Sequence, residues 1–372
     1  MRLLYFSLDY TPHDHRFLAA LSESGHEIHY LRLQRGPRQT EDRPLPTAVR
    51  QIPWRGGQRP FRWRDFPRLV ADFRRVLRQV QPDLVHAGPI QTVAVFPALA
   101  GFHPLVSMSW GYDLQRDAER SAIYRRLTRF VLRRSDALVA DCQAVARRAQ
   151  AFGFPAGRTT VFPWGVDLQH FAPAPDDGLR ARLGWEDAFV VLHNRSWEPI
   201  YGVDVMARAF VQAARQERRL RLMLLGGGSL APLLHRIFRD ADLLDRVHFF
   251  GQVSQRHLPR YYRAADLYLT ASHSDGSSVS LMEALASGLP VLVSDIPSNR
   301  EWVRAGQEGW LFPDGDAAAL AAALVQAARM PPAERERLAQ AARARAEARA
   351  DWSRNFRRLL EAYQAATAEV TP

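Results

Sequence analysis

The chain has 372 residues, too many for one ordinary hydrophobic core, and at 47% hydrophobic content it can fill two. Its net charge is +11 and all 50 basic residues are arginine, which excludes a phosphate-loop lysine and a Schiff-base lysine and leaves any bound phosphate to arginine or backbone amides. A single cysteine, Cys142, excludes a disulfide framework and a cysteine-rich metal site.

No apolar run approaches the length of a membrane span. Asp9 and Pro12 interrupt the apolar start too early for a signal peptide, so a cytoplasmic address is expected. In chain order, 2–8 reads as a buried strand and 15–24 as a helix closed by Gly25, with a strand at 28–31. Residues 36–60 read as a basic, proline-bearing loop. A helix over 66–79, strands at 84–86, 105–109 and 137–141, and a basic helix over 120–134 complete the first half. Prolines and aromatics from Phe162 to Pro175 mark an interdomain linker. The second half repeats the alternation, with strands at 189–193, 220–225, 247–250, 267–270 and 291–294. Its helices fall at 203–216, 230–241, 280–287, 299–304 and 317–329, followed by 333–349 and a last amphipathic helix over 352–366. This βα alternation predicts an α/β protein of two doubly wound parallel sheets. The expected bounds are 1–165 for the first domain, 166–350 for the second, and 351–372 for a C-terminal helix packing back on the first.

The segment from Ala271 to Asp295 carries the most chemistry. A strand ends, a Gly/Ser loop follows, and a helix opens near Ser280. Amides of Gly276, Ser277, Ser278, Val279 and Ser280 at that helix start form an anion site suited to a diphosphate. Asp275 at the strand end is placed to face a sugar, and Glu283, about one turn into the helix, to accept from a ribose diol.

The string Asp275-x7-Glu283-Ala284-Leu285-Ala286-Ser287-Gly288-Leu289-Pro290-Val291 resembles the signature of the family 4 retaining glycosyltransferases. The likeness continues through Asn299–Val303 and Gly309–Phe312, and upstream through Arg195, Gly202-Val203-Asp204, Gly226-Gly227-Gly228 and Gly251-Gln252-Val253. It covers nearly all of the second half and, more loosely, the first. The resemblance implies a GT-B fold, a nucleotide-diphosphate sugar donor, a hydroxyl acceptor, and retention by front-face attack without a metal or cofactor. It implies that Arg195 meets the donor phosphates, that Gly227 lies in the family's glycine turn, and that Val253 lies near the base. Three positions depart from the family pattern: Asp275 replaces Glu, Tyr201 replaces the Lys before the glycine of the Arg195 turn, and Trp110 replaces a His.

In the first half, the loop after strand one offers His13, Asp14 and Arg16. Its functional reading is acceptor and phosphate contact, with His13 or Asp14 orienting or deprotonating a hydroxyl; its structural reading is helix capping by Asp14. His86, Trp110 and Asp113 end other strands and are placed on the acceptor side, with a satisfied core histidine as the structural reading of His86. Asp314-Gly315-Asp316 reads as a turn and N-cap rather than a metal pair. Arginines crowd between Arg55 and Arg78 and again between Arg116 and Arg134. Solvated helix faces are the plain reading. A surface for anionic lipid headgroups or a polyanionic, lipid-linked acceptor is the sharper one, with a peripheral place at the inner membrane face; nucleic acid is not expected. A nucleotide-sugar sensor, a subunit of a glycosyltransferase complex, or an epimerase on the same scaffold are the competing functional readings.

Overall fold

The computed structural model describes residues 1–36 and 41–368. The chain divides into two compact units, Met1–Phe162 together with the chain from Phe356 onward, and Pro163–Asn355.

The first unit is built on a sheet of β1 (Arg2–Ser7), β2 (Glu27–Arg32), β3 (Val49–Gln51), β4 (Leu84–Ala87), β5 (Leu105–Met108), β6 (Ala137–Ala140) and β7 (Thr159–Val161). Their order is β3-β2-β1-β4-β5-β6-β7 and every pair is parallel. The direction of winding reverses between β1 and β4. Both faces of a parallel sheet are covered, so the strands read as continuous apolar runs. Leu4 and Phe6 face a layer that includes the helices Phe66–Val80 and Ala122–Arg134. Tyr5, on the opposite face, packs against Phe17 and His86.

The second unit repeats the plan with β8 (Phe189–His193), β9 (Leu220–Leu225), β10 (Val247–Gly251), β11 (Leu267–Thr270), β12 (Val291–Ser294) and β13 (Gly309–Phe312), ordered β10-β9-β8-β11-β12-β13 and parallel throughout. Val191 points into one core with Met206 and Phe210, while Val190 and Leu192 point into the other with Leu281, Leu285 and Trp302. The winding reverses between β8 and β11. In such sheets ligands bind at the carboxyl ends of the two strands that flank this reversal.

The expected strands all form. Three short edge strands, β3, β7 and β13, were not expected, because three or four residues carry too little alternation to be read. β3 falls inside the expected 36–60 loop. The helix expected at 299–304 is one 3₁₀ turn, Asn299–Glu301, and the helix Val95–Ala100 was not expected. The proline-rich segment after β7 is pinned rather than loose. Val166 forms a bridge with Asp351, its amide donating to the Ala350 carbonyl at 2.7 Å.

Three residues expected to face an acceptor are instead structural. Asp14 is buried: its carboxylate accepts from the Tyr5 hydroxyl at 3.1 Å and from the Thr11 amide at 2.9 Å, closing a capping box in which Thr11, not Asp14, is the N-cap. Asp113 is buried and accepts from the Ser109 hydroxyl at 2.5 Å and from the amides of Ile90, Trp110 and Leu114 at 2.9–3.1 Å, so it ties the turns after β4 and β5 together. His86 is buried with its ring shared between the Tyr363 hydroxyl and Met108 Sδ, and burial pulls its pKa down to about 3, so it is a neutral core histidine.

Burial pushes the carboxyls of Asp14 and Asp113 up to about 6, with their hydrogen bonds pulling the other way. A carboxyl whose folded pKa lies above its unfolded value of about 3.9 stabilises the fold most below pH of about 4 and loses that contribution as pH rises through about 6. A displacement of about two units corresponds to roughly 3 kcal/mol per group at full effect. Asp14→Asn is therefore expected to gain stability relative to the parent between pH 4 and pH 7, read from urea midpoints across that range. Parallel curves for the two proteins would contradict the buried ionisable carboxyl.

Candidate functional site

The two strands that flank the reversal in the second sheet deliver the central pair. β8 ends at His193 and the chain continues into Asn194 and Arg195; β11 ends at Thr270 and continues into the loop that carries Asp275. Neighbouring strands thus place residues eighty positions apart within an ion pair: Arg195 Nη2 donates to Asp275 Oδ2 at 2.6 Å. Nη1 of the same guanidinium donates to Ser278 Oγ at 3.1 Å and Ser280 Oγ at 3.3 Å. The ring of Tyr201 lies under it at 4.2 Å. The side chain is only 14% exposed. Burial works against the charge, but the Asp275 carboxylate, ahead of Tyr201, Tyr268 and Tyr262, more than offsets it and holds the guanidinium above its ordinary pKa. Arg195 Nε is buried and has no hydrogen-bond partner among the described residues, an unusual state for an interior donor.

The helix behind this pair is Val279–Ala286, with Ser278 as N-cap accepting from the Leu281 amide. Its first amides have no intrahelical acceptor and add a partial positive charge at the mouth of the sheet. The remaining loop side chains look inward. Gly276 donates its amide to Asp275 Oδ1 at 3.0 Å, and Ser277 Oγ accepts from Trp302 Nε1 at 2.9 Å. Asp275 therefore has Arg195 and its own loop among its partners at the strand end where the sequence places a sugar contact. Glu283 is also buried. It accepts from the Tyr262 hydroxyl at 2.8 Å and from Gln255 Nε2 at 2.8 Å. Tyr262 in turn accepts from Asn194 Nδ2 at 2.7 Å, so the end of β8 is linked through one tyrosine to the helix carrying Glu283.

Glycines shape the rest. Gly202 has φ +56°, and a Cβ there would lie 2.0 Å from the Ala271 carbonyl, so only glycine lets the turn after Arg195 lie against the strand end of β11. At the end of β9, a Cβ on Gly228 would lie 2.3 Å from the Trp197 carbonyl. The Gly227 carbonyl accepts from the Trp197 amide at 3.1 Å, and Trp197 Nε1 donates to the Leu225 carbonyl at 3.1 Å. The glycine turn thus braces the Arg195 turn from the side. Val253 is half-buried in the core on the Glu283 side of the sheet, two residues before Gln255.

At the reversal of the first sheet, His13 and Trp110 come together with ring centroids 5.6 Å apart, both partly accessible, and Arg16 follows one turn along the same helix. His13, Arg16 and Trp110 are the expected residues of this unit that remain at its strand ends, whereas Asp14, His86 and Asp113 are spent on the fold. Asp316 caps the helix Ala317–Ala328 by accepting from the amides of Ala318 and Ala319 at 2.9–3.0 Å. Asp314 pairs with His273 at 2.7 Å. The sequence reading missed Tyr262, Tyr268 and Gln255. No motif marks them, since their role comes from where α/β winding places them.

Residues 177–345 match the family described as Glycosyl transferases group 1, and residues 13–170 match Glycosyltransferase Family 4. The D-inositol 3-phosphate glycosyltransferase of Geodermatophilus obscurus is 33% identical over 251 residues, covering 64% of this chain and 55% of that protein, so the chain spans about half the length of the curated relative it matches. Among solved structures, Anabaena HepE in complex with UDP-glucose superposes with a TM-score of 0.80 at 21% identity, covering 98% of this chain and 100% of that one. Sucrose-phosphate synthase from Thermosynechococcus elongatus gives 0.81 at 20% identity, covering 99% and 100%. These likenesses establish a shared GT-B architecture of two Rossmann-like domains. With one half matched by each of two complementary descriptions, and the signature from Asp275 to Val291 kept, apart from the exchange of Glu for Asp at position 275, the chain belongs to family 4 of the glycosyltransferases.

Proposed function

We propose that the protein transfers a sugar from a nucleoside-diphosphate donor to a hydroxyl acceptor, with retention at the anomeric carbon and without a metal. The observation that carries this reading is Arg195, clasped against the start of the Val279–Ala286 helix with a buried Nε–H lacking an acceptor. A phosphate oxygen is the group that would satisfy it. The departing diphosphate gains charge as the glycosidic bond breaks, so a fixed guanidinium and helix-start amides lower the barrier more than they tighten the ground state.

In this reading Asp275 is a positioning residue. Its ion pair fixes the guanidinium plane, so that no side-chain entropy is lost on binding. Glu283, held in place by Tyr262 and Gln255, takes the ribose diol as a hydrogen-bond acceptor. His13, Arg16 and Trp110 form the acceptor side. The names of its relatives and structural neighbours, inositol-phosphate glycosyltransferase, sucrose-phosphate synthase and a UDP-glucose complex, support a nucleotide sugar as donor.

A donor-binding protein that does not transfer is the competing reading. It is favoured by two features: Tyr201 stands where the family has lysine, and the Arg195–Asp275 pair is electrically neutral. A panel of nucleotide sugars in a thermal-shift assay, followed by product analysis with the best donor, separates the two, because a ligand at free concentration L that binds only the folded state stabilises it by RT ln(1 + L/Kd) and so raises Tm. Transfer with a retained anomeric configuration is expected; a thermal shift without any product would favour the second reading.

Arg195→Ala is expected to lower kcat by about 10²–10³-fold, the range for loss of one preorganised charge-stabilising donor, while the folded protein persists. Near-parental turnover would remove Arg195 from the mechanism. EDTA is expected to leave the parental rate unchanged, and a rate that collapses and returns on adding a divalent cation would overturn the metal-independent part.

A further inference from the structure

The face of the first sheet that carries Leu4 and Phe6 is covered by one layer of helices, Phe66–Val80, Val95–Ala100, Ala122–Arg134 and Gln143–Ala151. The short helix Val95–Ala100 packs against the two basic helices on either side of it. The inner side of this layer is ordinary core, with Phe73, Phe96, Val131 and Val145 buried. The outer side is not ordinary. The helix Ala122–Arg134 holds five arginines and no acidic residue. Arg125, Arg129 and Arg133 follow one another at i, i+4 and i+8, which stacks like charges in one exposed row. That spacing weakens a helix, and no carboxylate within the helix relieves it; Asp136, three residues beyond Arg133, bonds His103 instead. The helix Phe66–Val80 repeats the arrangement with exposed Arg74 and Arg78; its one acid, Asp72, is turned inward to the Arg55 amide and Arg75. On this layer Arg75 pairs with Asp72 and Arg148 with Glu119, whose charge Arg125 also feels, while Arg129 and Arg133 form no ion pair among the described residues.

The same layer also projects apolar side chains. Five large hydrophobic residues stand exposed among the described residues, and three belong here: Trp63 at 45%, Leu99 at 38% and Ile123 at 73%. Trp63 is held in place by a tilted ring contact with Phe66, which packs on Phe96. A solvated helix face has no use for an exposed tryptophan and isoleucine among so many exposed arginines. A lipid surface uses both, the guanidinium groups meeting phosphate headgroups and the apolar tips entering the headgroup boundary. Nucleic acid fits less well, because single-strand platforms need several exposed aromatic planes and Trp63 is the one large exposed aromatic among the described residues. No helix among the described residues is long and apolar enough to cross a membrane, so the contact is peripheral.

We infer that this helical layer docks the protein onto an anionic lipid membrane surface. The test is cosedimentation of the full chain with vesicles of phosphatidylcholine mixed with phosphatidylglycerol, against phosphatidylcholine alone. Binding to the anionic vesicles only, weakened by salt, is expected. The triple variant Arg125→Ser, Arg129→Ser, Arg133→Ser should lower the partition coefficient by about 100-fold, from roughly five-fold per arginine near an anionic surface. Ile123→Ser should lower the binding that survives at high salt. The pair Arg74→Ser, Arg78→Ser on the neighbouring helix gives an independent reading should the triple variant lose its fold by circular dichroism. Equal binding to both vesicle types, binding to neither, or unchanged binding by both sets of folded arginine variants would overturn the inference. So would retention on heparin that the arginine variants lose while the parent ignores vesicles.

Discussion

The pairing of Arg195 with Asp275 is the interaction on which the rest of the second unit is arranged. It exists because β8 and β11 are neighbours in space although their connections run to opposite faces of the sheet. That reversal opens a gap at the strand ends, and the two residues that close it have opposite charge. An arginine buried this far needs a counter-charge and acceptors for its remaining hydrogens. Asp275, Ser278 and Ser280 supply them, and Tyr201 covers the guanidinium face. The Nε–H of Arg195 is left over, one of several buried donors without an acceptor among the described residues and the one that lies at these strand ends beside the Asp275 loop.

Around the pair, backbone approach distances matter more than side-chain identity. The turn after Arg195 lies against the Ala271 carbonyl, which is why position 202 is glycine, and the turn after β9 lies against the Trp197 carbonyl, which is why position 228 is glycine. Both contacts fix the height of Arg195 above the sheet. Cation and diphosphate would meet at a site whose protein charges already cancel, so in the proposed reading binding strength comes from alignment of donors rather than from net charge. Arginine suits this better than lysine, because a planar guanidinium presents several donors at fixed angles. A chain without lysine has the residue type that such a site demands.

Much of the fold could be read from the sequence because parallel strands covered on both faces give unbroken apolar runs, and all ten expected strands lie where those runs lie. The edge strands β3, β7 and β13 escaped because three or four residues make no pattern. The site was legible in part for a related reason. The spacing of Asp275 and Glu283 is local, set by one strand end and one helix start, so it can be seen along the chain. The partners of these acids are not local. Arg195 is eighty residues from Asp275, and Tyr262 is joined to Glu283 by sheet order rather than by any motif. An acid at a strand end looks the same in sequence whether it faces a ligand or an arginine.

The first unit shows the same ambiguity resolved the other way. Asp14, Asp113 and His86 all follow or end strands next to the winding reversal, the positions where ligand contacts concentrate. Each is buried and consumed by the chain's own hydrogen bonds. These bonds have a purpose related to the site. Asp113 gathers the amides of Ile90, Trp110 and Leu114, and so sets where the Trp110 ring stands. Asp14 closes the first turn of the helix that begins beside Thr11 and presents His13. Two carboxylates held out of water therefore position one indole and one imidazole that remain partly in it. The cost of burying the acids is the cost of holding those two rings in one geometry, and a polar residue at a strand end is as often the support of a site as a member of it.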